Sequence, residues 1–95
     1  MEYITFMHNN RDTLPSEREW EDFFVKAKES GMFQGGSAIG RRSIVGSKQV
    51  PDSTINIVGY MKFESTSLDL LEELLSHHPV VKHGGTIEVC ELPKT

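Results

Sequence analysis

The chain has 95 residues, which is room for one domain spanning residues 1–95, and a domain this small buries only about 60–65% of its unfolded surface. Hydrophobic residues at 37% and charged residues at 25% are typical of a globular protein and exclude a disordered or fibrous chain. The net charge of −4, with scattered basic residues, excludes the basic surface that a nucleic-acid partner requires.

The cysteine content and the apolar stretches of the chain predict its cellular location. Cys90 is the only cysteine, so the chain forms no internal disulfide and no cysteine-type zinc site, and we expect a reducing compartment. Residues 1–6 lack the basic start and apolar run of a secretion signal, and no apolar stretch approaches the ~18 residues that span a bilayer. These features predict a cytoplasmic protein without a membrane partner.

The first half of the chain predicts a strand followed by a helix. Residues 3–8 carry aromatic and β-branched side chains on both alternating faces, which predicts a strand covered on both sides. Ser16 and Glu19 form a capping-box pattern, and apolar residues then recur at helical spacing. This pattern predicts an amphipathic helix over residues 15–30, which ends at Gly31.

A second strand follows that helix. Residues 32–39 are prone to form a strand, and they are interrupted by Gly35 and Gly36. Missing side chains in a strand usually mark a bulge, a bend or the close approach of another group. Residues 41–54 then predict a loop with a short strand at residues 43–45.

The second half repeats the order of strand and helix. Residues 55–64 again carry apolar side chains on both faces and predict a strand. Thr66 and Asp69 form a capping-box pattern before a leucine-rich helix that we expect to end near His77, before Pro79. Residues 86–92 predict the last strand.

The predicted order βαββαβ specifies an α+β fold. Two crossover helices make a ferredoxin-like, four-stranded antiparallel sheet with both helices on one face and the first and third strands in the centre. Those two strands are apolar on both faces, so the uncovered face requires a partner. The simplest partner is a second copy of the chain, and we expect a homodimer.

The C-terminal third carries the most specific pattern: Gly59-Tyr60, Phe63-Glu64, the helix at 67–72, His78-Pro79 and the run 84–89. This pattern resembles the YCII-related family, also called the DGPF-domain family. The Trp20 helix followed by Gly35, Gly36 and Gly40 is similar to the middle of the same family. The resemblance implies a ferredoxin-like dimeric α+β barrel.

The family's proposed catalytic pair is missing. Members proposed to be enzymes pair a His on the first helix with an Asp just after the second strand. Here residues 15–30 contain no His, and no Asp follows Gly36 until Asp52. The Asp-Gly-Pro-Phe motif is also absent, and residues 50–53 stand in its place. The resemblance therefore supports the predicted fold, and the missing pair argues against an enzymatic function.

His8 is the best candidate for a general acid or base. It ends a central strand beside a polar turn, where polar groups often line sites, although a His there is also commonly half-exposed with a structural role. Its candidate partners are Glu19, Asp52 and Glu88.

For the other three histidines, a structural role is the simpler interpretation. His77, His78 and His83 flank a predicted helix C-terminus, where imidazole groups bond free carbonyls, and this favours a capping role. They lack the i, i+4 spacing and the nearby carboxylate of a zinc site, so we predict no metal.

Residues 35–43 resemble a phosphate-binding loop but lack its Lys-Ser/Thr pair and the helix that must follow, so we predict no nucleotide binding. The same residues suggest a simpler anion site, in which backbone amides near Gly36 and Ser37 together with Arg41 are expected to hold a carboxylate or a small anion. The alternative is a bent strand with solvated charges.

Taken together, the sequence predicts a domain that binds a small acid or aromatic molecule, or a variant enzyme of that kind. Its ligand site is expected near His8, Gly36, Ser37, Arg41 and His83. The alternative is a non-catalytic dimeric interaction or regulatory module, and a third hypothesis is heme or redox function of the kind found in similar dimeric barrels. We expect no cofactor.

Overall fold

A computed structural model of the chain describes residues 1–10, 12–46 and 54–94. Asp52 and the region 50–53, both singled out in the sequence, lie outside the described residues. The helices and strands follow in the order β1 (Glu2–His8), α1 (Glu17–Glu29), β2 (Phe33–Ala38), β3 (Ile57–Glu64), α2 (Leu68–Leu75), α3 (Pro79–Lys82) and β4 (Thr86–Leu92).

The strands form one antiparallel sheet in the order β2-β3-β1-β4. The predicted α+β fold with ferredoxin-like strand order is confirmed, and β1 and β3 are the central strands as expected. No helix in the described ranges is long and apolar enough to cross a membrane.

The two faces of the sheet differ in their cover. On β1, Tyr3, Thr5 and Met7 are buried, whereas the alternating residues between them are only partly buried. Successive strand side chains point to opposite faces, so the buried set marks the face that the helices cover. The core on that face consists of Tyr3, Met7, Phe23, Ala27, Met61, Phe63, Leu71, Leu74, Leu75 and Val80.

Helix α1 begins where the sequence predicts. The Ser16 hydroxyl accepts the Glu19 backbone N–H at 3.2 Å, and the Glu19 carboxylate accepts the Ser16 N–H at 3.0 Å. This reciprocal capping box satisfies two amide donors that the first helical turn leaves free. Gly31 follows the helix with φ +73°, a conformation that favours glycine.

Three predicted details are wrong. Helix α2 takes Ser67, one residue later than Thr66, as its N-cap, and its hydroxyl accepts the Leu70 N–H at 3.3 Å. Pro79 is not only a stop, because it opens α3 at the position where a missing N–H costs nothing. Residues 43–45 form no strand: the pairing of β2 with β3 ends at Ala38, and Val45 beyond it is 96% exposed.

The Gly35-Gly36 pair shapes β2. The register between β2 and β3 shifts between Phe33 and Gly35, and Gly35 has φ +116°, so a bulge lies here as glycine pairs in strands often indicate. A Cβ atom on Gly36 would overlap the Tyr60 carbonyl oxygen and lie 2.9 Å from the Met61 Cα. Gly36 therefore allows β2 to approach β3 closely.

Substitution of this glycine tests that interpretation. We expect Gly36→Ala to reduce the free energy of unfolding by about 2 kcal/mol, because the added methyl group collides with the backbone of β3. Gly40→Ala is the matched control, since a Cβ at Gly40 meets nothing within 4 Å. Urea denaturation of both variants measures the difference, and equal stabilities would contradict the close approach.

Candidate functional site

A cavity of ≈ 230 Å³ lies between α1 and the sheet at its β2–β3 side. Helix α1 supplies two aromatic side chains and three of the strands supply the remainder. The lining residues are Met7, Trp20, Phe24, Phe33, Gly36, Ser37, Ala38, Val58, Tyr60 and Met61.

The cavity exists because large side chains on the helix face small ones on the strand. Trp20 and Phe24 stack with ring centroids 6.0 Å apart, and Phe24 meets Phe33 at 6.1 Å. Beyond Phe33, the lining residues of β2 include Gly36 and Ala38, which have too little volume to fill the space beneath those rings. The sheet stays paired and leaves an apolar space.

The chemistry of this cavity favours an apolar ring. None of its lining residues carries a charge, and the Ser37 hydroxyl is engaged with the Ala38 carbonyl at 2.8 Å. An engineered apolar cavity of about 150 Å³ takes up benzene. The larger space under α1 is therefore sufficient for one substituted ring.

The structure brings together only part of the predicted ligand site. Gly36 and Ser37 line the cavity. Arg41 is exposed and does not line the cavity, so its predicted role in holding an anion together with the amides near Gly36 stays a prediction. The neighbouring Arg42 instead donates to the Ile57 carbonyl at 2.8 Å and to the Thr54 hydroxyl at 3.2 Å, which ties the loop to β3.

His8 lies on the sheet face that the helices leave open. Its Nε2 is 3.0 Å from a carboxylate oxygen of Glu88, whereas the preceding Met7 is buried on the helical face and lines the cavity. Among its three candidate partners, His8 therefore meets Glu88. The imidazole–carboxylate pair is an arrangement that general acid–base chemistry uses, but it does not line the cavity.

His83 pairs with the capping glutamate of α1. Its Nε2 lies 2.8 and 3.0 Å from the two Glu19 carboxylate oxygens. The backbone N–H of Ser16 first, and His83 second, lower the pKa of the Glu19 carboxyl, which is consequently ionised at neutral pH. Asn10 and Thr13 hold the His83 carbonyl at 3.1 and 2.8 Å, so the pair is fixed at the N-terminus of α1.

His77 and His78 do not cap the C-terminus of α2 with their side chains in the way that the sequence predicts. His77 lies 3.4 Å from Glu73, four residues earlier in the chain. His78 is the N-cap of α3, not a cap at the end of α2, and its Nδ1 accepts the Val80 N–H at 3.1 Å. Sequence reasoning missed this role, although a His directly before a Pro at a helix start is a usable signal.

His78 is also the most unusual titratable group in the described ranges. Its side chain is 0% exposed and packs between Trp20 and Phe23, with ring centroids 5.0 and 4.6 Å away. Burial lowers the pKa of His78 to about 4. The imidazole is therefore neutral at physiological pH.

The remaining candidate groups among the described residues offer no further site. The Cys90 thiol lies 3.8 Å from a Glu88 oxygen, and burial followed by the Glu88 charge raises its pKa, so the thiol stays protonated and unreactive. Across residues 1–10, 12–46 and 54–94, no three His, Cys, Asp or Glu side chains are grouped as a metal site requires.

Comparisons with known proteins support the fold. No protein-family model matches the chain, and no curated protein matches it in sequence. A solved structure of 5-chloro-2-hydroxyhydroquinone dehydrochlorinase (TftG) from Burkholderia phenoliruptrix AC1100, in complex with 2,5-dihydroxybenzoquinone, is similar. It aligns with a TM-score of 0.54 and 14% identity over 100% of this chain and 96% of that chain. At this level of identity the likeness shows a common fold.

Proposed function

We propose that the protein binds a small, single-ring aromatic molecule in the cavity under α1. The observation that carries this proposal is the cavity itself, an apolar space of ≈ 230 Å³ walled by Trp20, Phe24 and Phe33. Largely apolar pockets with a few polar groups are the usual form of small-molecule sites. Between the two predicted ligand classes, the uncharged lining favours an aromatic ring over a small acid.

The structural neighbour is consistent with this ligand class. Its structure holds 2,5-dihydroxybenzoquinone, a single ring bearing oxygen atoms. The shared fold supports a site of similar size in this chain. Together with the sequence resemblance, it also supports membership of the YCII-related family as a divergent member without the family's proposed His–Asp pair.

A thermal-shift screen tests the binding proposal. A ligand that binds only the native state raises the unfolding midpoint, and at tenfold excess over its Kd we expect a rise of about 5–10 °C for a domain of this size. The screen compares p-cresol and toluene with the non-aromatic acid succinate. No rise with either ring compound at millimolar concentration would count against the proposal.

An enzymatic version assigns acid–base catalysis to His8. The contact with Glu88 supports this version, because a carboxylate fixes the orientation of the imidazole. Because His8 does not line the cavity, this version requires the substrate to react on the open face of the sheet, and His8→Ala is then expected to abolish turnover of a phenolic substrate. Turnover that persists unchanged in this variant would remove His8 from the mechanism.

The alternative function, a dimeric interaction module, is favoured by the open face of the sheet. Half-buried Ile4 and Phe6 on β1 lie on this face, together with Tyr60 and the 38%-exposed Val58 on β3, two residues that also contribute to the cavity lining. Partly exposed apolar side chains on an uncovered sheet face of a small domain indicate an interface. We propose that a second copy of the chain covers this face.

Light scattering tests the dimer. We expect a mass near twice the 10.7 kDa of one chain for the natural protein and a single-chain mass for Phe6→Lys, because a charge in the middle of the interface is expensive to desolvate. Val25→Lys is the control, since Val25 is 55% exposed on α1. A monomeric natural protein at micromolar concentration would exclude this assembly.

A further inference from the structure

His78 presents a fixed hydrogen-bond donor inside the core. Its Nδ1 accepts the backbone N–H of Val80 at 3.1 Å, so the proton of the neutral imidazole resides on Nε2. The cap of α3 thus selects the tautomer. Burial keeps the ring neutral at physiological pH, because its pKa is lowered to about 4.

That donor has no acceptor within the described part of the chain. Nε2 of His78 is fully buried and has no hydrogen-bond partner among the described residues. An unsatisfied buried N–H group costs free energy relative to its solvated state, and native proteins leave few of them. A group that is unsatisfied in the free protein is a candidate for satisfaction by a ligand.

One aromatic ring connects this donor to the cavity. The indole of Trp20 forms part of the cavity wall and also meets the His78 ring at 5.0 Å, with an interplanar angle of 85°. Trp20 is only partly buried, and it is the only tryptophan of the chain. Trp20 therefore contacts both the ring that carries this donor and the cavity.

We propose that Nε2–H of His78 donates a hydrogen bond to an oxygen atom of the bound aromatic ligand, which Trp20 admits by moving aside. The preferred ligand is accordingly an aromatic compound that carries a carbonyl or similar acceptor oxygen on its ring. This inference rests on the proposed binding function. The competing arrangement is a weak N–H···π contact with the indole, which needs no ligand.

A matched ligand pair tests the assignment. Acetophenone and isopropylbenzene have the same outline, but only acetophenone has an acceptor oxygen. Calorimetry measures both affinities in the natural protein, in His78→Phe and in the control His77→Phe, which replaces an exposed imidazole beside the site. The preference for acetophenone is expected to fall about fivefold or more in His78→Phe and to stay unchanged in His77→Phe.

A second measurement uses the natural protein, in case His78→Phe folds poorly after losing the cap of α3. We expect the Nε2–H resonance of His78 to move downfield on addition of acetophenone but not of isopropylbenzene, with a change in Trp20 fluorescence for acetophenone.

The outcomes separate the two proposals. If neither compound binds, the cavity proposal fails and the role of His78 fails with it. If both bind but the Nε2–H resonance does not respond to acetophenone, or the preference survives in a folded His78→Phe protein, the cavity proposal stands and the assignment of His78 is overturned.

Discussion

Acidification from pH 6.5 to pH 4 is expected to remove about 3 kcal/mol of stability through His78 alone. In the folded protein burial lowers the pKa of this imidazole to about 4, whereas in the unfolded chain it titrates at its ordinary value of 6.5. As the pH falls between these values, the unfolded state binds a proton that the native state does not, so unfolding becomes more favourable. Well above pH 6.5 and well below pH 4 the contribution is constant.

Urea denaturation at half-unit pH steps measures this effect. His78→Phe removes the titrating group, so its unfolding free energy should decline less steeply than that of the natural protein in this window, whatever its absolute stability. His77→Asn removes an imidazole that is 43% exposed and should retain the full decline. Parallel curves for His78→Phe and the natural protein would show that His78 is not buried in the neutral form.

Filling the cavity is expected to weaken binding of p-cresol by at least about tenfold. Ala38 lines the cavity and lies opposite Gly59 in the register of β2 and β3, so the ring of Ala38→Phe would occupy the space beneath Trp20. The substitution adds apolar volume to an empty space and should not lower stability by more than about 1 kcal/mol.

The control for this experiment lies in the loop beyond β2. Val45→Phe adds the same side-chain class at a position that is 96% exposed and does not line the cavity. Its affinity for p-cresol should equal that of the natural protein. If Ala38→Phe also binds p-cresol with unchanged affinity, the ligand must be placed elsewhere on the molecule.

Local patterns predicted the elements whose boundaries depend on local chemistry. The last strand coincides with its prediction at Thr86–Leu92, because two glycines precede it and Pro93 follows. The Ser16 capping box formed as expected. At α2, both Thr66 and Ser67 are residue types that can cap a helix. The structure uses Ser67, and the backbone geometry that selects it cannot be read from the sequence.

The candidate site was less predictable because it depends on register and packing. The pairing of Phe6 with Glu88 on the open face places the carboxylate within reach of His8, while the remote Glu19 meets His83. No spacing in the sequence distinguishes these partners. The cavity requires Trp20 to lie over the small residues of β2, whereas the helical spacing of apolar residues predicts only an amphipathic helix.

The proposed binding site can be tested most directly through the methionines. The chain contains four methionines, of which Met7 and Met61 line the cavity, whereas Met1 and Met32 line a different surface depression. We expect titration of methyl-labelled protein with p-cresol to shift the NMR signals of Met7 and Met61 and to leave those of Met1 and Met32 in place. Equal shifts of all four methyl signals, or no shift at a large excess of ligand, would contradict a binding cavity under α1.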